Sequence, residues 1–491
     1  MALVSTTRRI GVHHDHPHYK WWALSCTSLG MLLATVNSGT LIIALPDLER
    51  ALHTSLLQLV WVILVYLIAS TVLVLTAGRL SDLFGRKNAY VGGFVLFALA
   101  SLGAGFASGG TELLIWRVVQ GVGGAFLFAN SSAIVTDAFP REQLGVAMGT
   151  NVMVAAVGLV IGPVLGGALV EIGWQWVFWF NVPFALAGSA WAWAVLHDLH
   201  KPDEVRGLDL VGTTVFVVGL TALVYAISKG GLTSWTEPIV IVSFALAAVL
   251  LPLFVLIERG QRAPMLDLTI FQERLFAAGA AAAFLNGLGR FALTFIFVFY
   301  YQGAQGDDPI LAGLKLAPMA LGMLVASPPA GWWADRHGSR LLATVGMLIT
   351  AVGIAGMTLL AADSSYWLSA VMLLLVGVGF GVFNSPNTAA MMGVVAPNRR
   401  GIAAGARMMA QNTGAVISIA LVMAIVTAGI PKDVLFAIFS GLRDSLDSGA
   451  IDGFIANMHT ALWVLTGITL LGALICLLRP AAARRVELAA D

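Results

Sequence analysis

Long apolar runs separated by short polar turns fill almost the whole chain. Fourteen of them reach spanning length: about 20–45, 57–79, 88–107, 111–134, 144–170, 173–196 and 209–228, then 237–257, 274–302, 309–331, 340–361, 365–390, 403–429 and 456–479. Roughly 20 apolar residues cross a bilayer as a helix. A helix also satisfies its own backbone in lipid, so the pattern predicts an all-α integral membrane protein. Between the second and third runs lies Gly78-Arg79-Leu80-Ser81-Asp82-Leu83-Phe84-Gly85-Arg86-Lys87. A turn this short makes its flanking helices an antiparallel hairpin. Gly78 and Gly85 allow close approach and reversal. Asp82 is placed to cap a neighbouring helix, and Arg86 and Lys87 mark the cytoplasmic side.

The same turn returns 253 residues later as Gly331-Trp332-Trp333-Ala334-Asp335-Arg336-His337-Gly338-Ser339-Arg340. Gly121-Val122-Gly123-Gly124 recurs as Gly377-Val378-Gly379-Phe380, and Gly145–Gly149 recurs as Gly401–Gly405, both 256 residues on. The chain therefore reads as a duplication. A six-helix half (20–200) and its copy (261–480) flank an inserted pair (201–260), with polar tails at 1–19 and 481–491. Repeats enclosing a midplane site are the pattern of a rocking secondary transporter.

Composition agrees: 58% of residues are hydrophobic and 11% charged, with mean hydropathy +0.88, where a soluble domain carries about 25% charged residues. The placement of charge says more than the net +1. With the N-terminus inside, about nineteen Lys and Arg fall on the cytoplasmic side. Only Arg50, Lys229, Lys432 and Arg443 fall outside, and Arg117, Arg290, Lys315 and Arg407 lie within runs. Both termini are thus expected in the cytoplasm of a bacterial-type inner membrane, and no basic patch is left for nucleic acid. Cys26 and Cys476 sit inside runs and are read as packing residues. His13, His14, His16 and His18 are metal ligands by type, but a polar tail broken by Pro17 gives them no fixed geometry. No metal or cofactor is expected. The outer loop 430–454 is the longest, and a short amphipathic helix is expected within it.

Trp61 and Tyr66, the turn Gly78–Lys87, Arg117-Val-Val-Gln120-Gly121, the run Trp174–Pro183 and Gly207-Leu-Asp209-Leu-Val-Gly212 together resemble the major facilitator superfamily. Within it the chain is most similar to the fourteen-helix drug:proton antiporter family, over residues 20–480. The run Gly158-Leu-Val-Ile-Gly162-Pro163-Val-Leu-Gly166-Gly167 resembles that family's antiporter motif. Its glycines admit a partner helix and Pro163 permits a kink. The repeat puts Ser418 and Ile419 opposite Gly162 and Pro163, so the kink belongs to one half, as suits a seal and favours export. The resemblance implies that Arg117, one turn from Gln120, is tied to proton movement; the alternative is a donor to neighbouring carbonyls. It implies a latch of Gly78, Asp82, Gly85, Arg86 and Lys87, with Gly331, Asp335, Gly338 and Arg340 as the second copy.

One position departs from the family. Its first helix usually carries an acidic residue where this chain has Asn37, and Asn37 cannot titrate. No Asp or Glu stands near the middle of any run. The deep ionisable groups are all basic, accompanied by Asn286 near Arg290 and Gln411 near Arg407; Lys315 and Arg407 lie near enough to the faces to snorkel. Groups of this kind at membrane depth are functional candidates. Asn37, Arg117, Gln120, Asn286, Arg290, Lys315 and Gln411 are therefore the candidate substrate or coupling residues, with Tyr66, Phe128, Tyr300, Tyr301, Met319, Met408 and Met409 around them.

The expected function is export of an amphipathic small molecule by a monomer using alternating access, in exchange for protons. The rival is a dedicated exporter or facilitator of one anionic metabolite without that exchange. An intramembrane enzyme would need a metal cluster or a nucleophile–base pair at depth; the histidines lie in loops or near helix ends, so no enzyme is expected.

Overall fold

The computed structural model describes residues 18–140, 143–198, 209–261, 264–395, 400–439 and 448–480; the N-terminal histidines 13, 14 and 16 lie outside these. Regular structure among them is entirely helical. The first half contributes α1 (Tyr19–Ile43), α2 (Leu45–Leu52), α3 (Leu56–Phe84), α4 (Arg86–Gly105) and α5 (Gly110–Ala138). It continues with α6 (Leu144–Ile172), α7 (Trp176–Trp179) and α8 (Asn181–Val195). The middle pair is α9 (Leu210–Leu232) and α10 (Pro238–Gly260). The second half opens with α11 (Arg274–Arg290), α12 (Ala292–Phe299), α13 (Pro309–Lys315), α14 (Ala317–His337) and α15 (Ser339–Gly356). It closes with α16 (Tyr366–Val394), α17 (Arg400–Val426), α18 (Lys432–Phe439) and α19 (Ser448–Leu478). Helix α18 is the short helix expected in the loop 430–454.

Among the described residues, twelve helices are long and apolar enough to cross a membrane. Their outward faces are apolar: Ile241, Val242, Val249 and Leu256 of α10 are all exposed. In a bilayer these side chains meet lipid rather than water, so exposure there carries no hydrophobic penalty. Helices α1, α3, α4, α5, α6 and α8 pack among themselves, as do α11, α14, α15, α16, α17 and α19. Helix α9 lies against α3 on one side and α17 on the other, with α10 packed on its back.

The repeat is visible atom by atom. Gly85 (φ 91°) and Gly338 (φ 87°) both join two helices through a backbone shape that side chains disfavour. A Cβ at Gly123 would lie 3.0 Å from Gly93 O of α4, and one at Gly379 would lie 2.6 Å from Gly346 O of α15. Equivalent glycines thus bring equivalent helix pairs to backbone contact. Gly78 does not share this role, since a Cβ there meets only Ala129 Cβ at 3.9 Å, an ordinary contact.

Overfilling one crossing costs about 1–3 kcal/mol. Gly123→Val and Gly379→Val should therefore each lower the melting temperature of the detergent-purified protein, whereas Gly78→Ala leaves it unchanged.

Candidate functional site

Five helices of the first half converge on one buried polar chain. Arg117 of α5 is 1% exposed. Its Nε donates to Val62 O of α3 at 2.9 Å, and its Nη1 donates to Gln120 Oε1 one turn along. The guanidinium lies 4.4 Å from the centroid of the Tyr66 ring, a favourable cation–π position. Gln120 Nε2 donates onward to Ser101 Oγ of α4 at 2.7 Å and to Asn37 Oδ1 of α1 at 3.2 Å. Asn181, first residue of α8, donates to the same Asn37 oxygen at 3.3 Å. The Asn37 amide nitrogen and the Tyr66 hydroxyl neighbour each other and make no other hydrogen bond. Arg117 is thus stabilised by a carbonyl and an amide, with no carboxylate beside it among the described residues.

The second half is built differently at the matching places. The repeat aligns Asn37 with Arg290, Tyr66 with Met319, Arg117 with Leu373 and Gln120 with Val376. Leu373, Val376 and Met319 are buried and apolar, so no polar chain forms. Arg290 is 8% exposed, 4.0 Å from the centroid of Phe380, and its Nε has no partner. No ion pair reaches it among the described residues. Asn286, one turn earlier, donates to Met347 Sδ at 3.3 Å while its Oδ1 stays unpartnered. Gln411 accepts from Arg407 Nη1 at 3.0 Å, with Asn384 Oδ1 at 3.4 Å from the same nitrogen.

Lys315, near one end of its run, pairs with Asp307 and lies 3.1 Å from Gln305 Oε1, across the turn between α12 and α13. Tyr300 and Tyr301 are bonded core residues, donating to Ala361 O at 2.7 Å and Ser369 Oγ at 2.8 Å. Sequence reading also missed Arg479, which it left next to a polar tail. It is buried, donating to Asn387 Oδ1 at 2.8 Å and Ser339 O at 2.6 Å, and so ties α19 to α15 and α16.

The glycine run of α6 has two working faces. Gly162 meets Gly39 of α1, where a Cβ would lie 3.0 Å from Gly39 Cα, and Gly158 and Gly166 meet Thr35 and Thr40. Pro163 and Gly167 instead meet the second half: a Cβ at Gly313 would lie 2.6 Å from Pro163 O, and one at Gly167 would lie 2.7 Å from Ile310 Cα. The halves therefore touch backbone to backbone at the end of α6 remote from the Gly85 turn. Near that turn they meet again, where Gly405 of α17 packs on Leu75 of α3. In the second half the place of Gly162 is taken by Ser418, whose Oγ accepts from Ala292 N at 3.3 Å.

Of the turn residues, Arg86 pairs with Asp137 of α5 at 2.6 Å, within the first half. Lys87 N donates to Asp198 Oδ1 at 2.8 Å, and that carboxylate lies against Gly85. Gly331 lies against Ser385, and Arg340 Nε donates to Leu477 O at 2.7 Å. The side chains of Asp82 and Asp335 lie outside those the structure describes.

The family description Major Facilitator Superfamily matches residues 27–260 and 279–490. The chain belongs to the major facilitator superfamily. It is accordingly a multi-pass membrane transporter and not an enzyme. It is 30% identical over 463 residues to the puromycin resistance protein pur8 of Streptomyces alboniger, covering 93% of this chain and 90% of that one. It is 30% identical over 409 residues to the multidrug resistance protein Stp of Mycobacterium tuberculosis H37Rv (82% and 75%). To the riboflavin transporter RibZ of Clostridioides difficile it is 28% identical over 386 residues (78% and 83%). The superfamily fold is matched by a solved bacterial homologue of the lysosomal transporter Spinster, with TM-score 0.68, 12% identity and coverage of 94% and 97%.

Gln120 holds the polar chain together. Gln120→Leu leaves Arg117 Nη1 without its acceptor, which should cost about 1–3 kcal/mol. Thermal unfolding in detergent checks this, and Val376→Ala at the matching place in the second half should leave Arg117 untouched.

Proposed function

We propose that this protein is an efflux carrier, exporting an amphipathic small molecule by alternating access in exchange for protons. The observation that carries the reading is the α6–α13 seam, where Pro163 and Gly167 of one half meet Gly313 and Ile310 of the other. A seam of small residues between the moving halves is what a releasable seal requires. The names of the relatives, puromycin resistance and multidrug resistance, point the same way. In this reading the chain crosses the membrane fourteen times. Helices α6 and α7–α8 add two crossings to the twelve, and α9–α10 are a pair inserted at 201–260 between six-helix bundles at 20–200 and 261–480. The bias of Lys and Arg sets both termini and the Gly85 and Gly338 turns in the cytoplasm. The carrier acts as a monomer in the cell membrane.

Arg290 favours a second reading, a dedicated carrier of one anionic metabolite without proton exchange. An isolated buried guanidinium is costly unless an anion offsets it, and Asn37, where the resembled family usually has an acidic residue, cannot carry a proton. Within either reading Asn37, Arg117, Gln120, Asn286, Arg290, Lys315 and Gln411 form the substrate or coupling set, and the two glycine turns form the latch.

Proteoliposomes with an imposed pH gradient separate the readings. An amphiphile that crosses and dissipates the gradient supports proton-coupled efflux, with lipophilic cations and amphipathic anions compared as substrates. A labelled anion that crosses without proton movement, and stops crossing in Arg290→Gln, supports the second. Gly167→Leu overpacks the seam by about 1–3 kcal/mol, a shift of about 5–150-fold in the sealed population. Transport should fall correspondingly while the protein still folds.

A further inference from the structure

Two carboxylates are buried where the α9–α10 pair meets the first half: Asp209 is 6% exposed and Glu258 is 2% exposed. Asp209 caps α9, its Oδ1 accepting from Gly212 N at 2.8 Å and from Gln261 Nε2 at 3.2 Å. Glu258 Oε2 accepts from Leu266 N at 2.8 Å. The second oxygen of each, Asp209 Oδ2 and Glu258 Oε1, has no donor. Both point to one spot. A Cβ at Gly212 would collide with Asp209 Oδ2 and would lie 2.6 Å from Glu258 Oε1. Both oxygens therefore crowd the same point beside Gly212.

Among the described residues, the charged groups facing the pair are few. Arg79 of α3 faces Glu258 and donates to Pro264 O. Arg259, next along α10, is exposed, and Asp267 is engaged with Thr269 N at 3.0 Å. Ionised carboxylates only accept. Two facing carboxylate oxygens therefore bond to each other only when one carries a proton, and both cannot ionise without repulsion.

We propose that Asp209 and Glu258 hold one proton between them, and that this proton fastens α9, α10 and the strap Pro264–Leu266 to the first half. The strap leads into α11, the helix that ends at Arg290. Loss of the proton sets two anions face to face, and their repulsion pushes Glu258, with the Leu266 strap it holds, away from Asp209 and loosens this link to the first half. On the orientation proposed above, which this consequence rests on, the pair responds to cytoplasmic pH. Export should then weaken as the cytoplasm becomes alkaline.

The test uses full-length protein in lipid nanodiscs, titrated from acid to alkaline pH and followed by infrared spectroscopy and amide hydrogen exchange. The wild type should show a protonated-carboxyl band at neutral pH that vanishes on alkaline titration, and the band should be missing in both Glu258→Gln and Asp209→Asn. Asn is as good a helix cap as Asp, so Asp209→Asn keeps α9 intact. Exchange at Gly212 and Leu266, corrected for intrinsic base catalysis, should rise over the same pH range in the wild type and stay flat in Glu258→Gln, whose amide donates at every pH. A band that survives either substitution, or wild-type protection that ignores pH, overturns the proposal. Neither readout needs transport. A missing band in protein that still exchanges protons in proteoliposomes defeats the acid pair alone, and a present band in protein that moves none defeats only the efflux reading.

Discussion

Arg117 is a guanidinium in an apolar bundle with no carboxylate to neutralise it, and the first half is arranged to meet that demand. Its donors find one acceptor on a neighbouring helix and one a turn along its own. Val62 supplies a carbonyl from α3, Gln120 relays the charge's influence to α1 and α4, and Asn181 meets the relay from α8. Lipid offers no alternative partner. The cost of leaving any one group bare thus fixes the rotation of five helices about their axes, where hydrophobic packing alone would tolerate sliding. Polar satisfaction sets register here, and apolar surface sets only which side faces lipid.

The duplication preserved backbone and discarded chemistry. Glycine crossings such as Gly123 on α4 and Gly379 on α15 repeat closely, because helix approach depends on the absence of a side chain and little else. The polar positions diverged completely: an amide chain in one half corresponds to Leu373, Val376 and a solitary Arg290 in the other. Two bundles of one shape therefore hold their buried cations differently, Arg117 bonded into an amide chain and Arg290 set against the Phe380 ring.

Much of this was legible from the chain. Apolar run lengths gave the helices, the matched turns gave the duplication, and glycine spacing in α6 marked a close contact. Three things were not. Ser101 and Asn181 are ordinary polar residues until folding sets them beside Gln120. Lys315 stands near the end of its run, and only the folded turn shows that Asp307 is the residue that pairs with it. Asp209 and Glu258 stood at opposite ends of a hairpin, and only its closure brings their oxygens together. Periodicity reports which face a residue occupies; it does not report which residue of another helix stands opposite.

The contacts between the halves are made of one material. At the remote end of α6 they consist of glycine, proline and backbone at van der Waals distance, and toward the Gly85 turn Gly405 rests on Leu75. The partly exposed Arg86–Asp137 pair lies within the first half and bridges nothing between them. Closing such apolar contacts displaces no counter-ions, so their equilibrium is indifferent to salt. It answers instead to packing volume and the lateral pressure of the surrounding lipid.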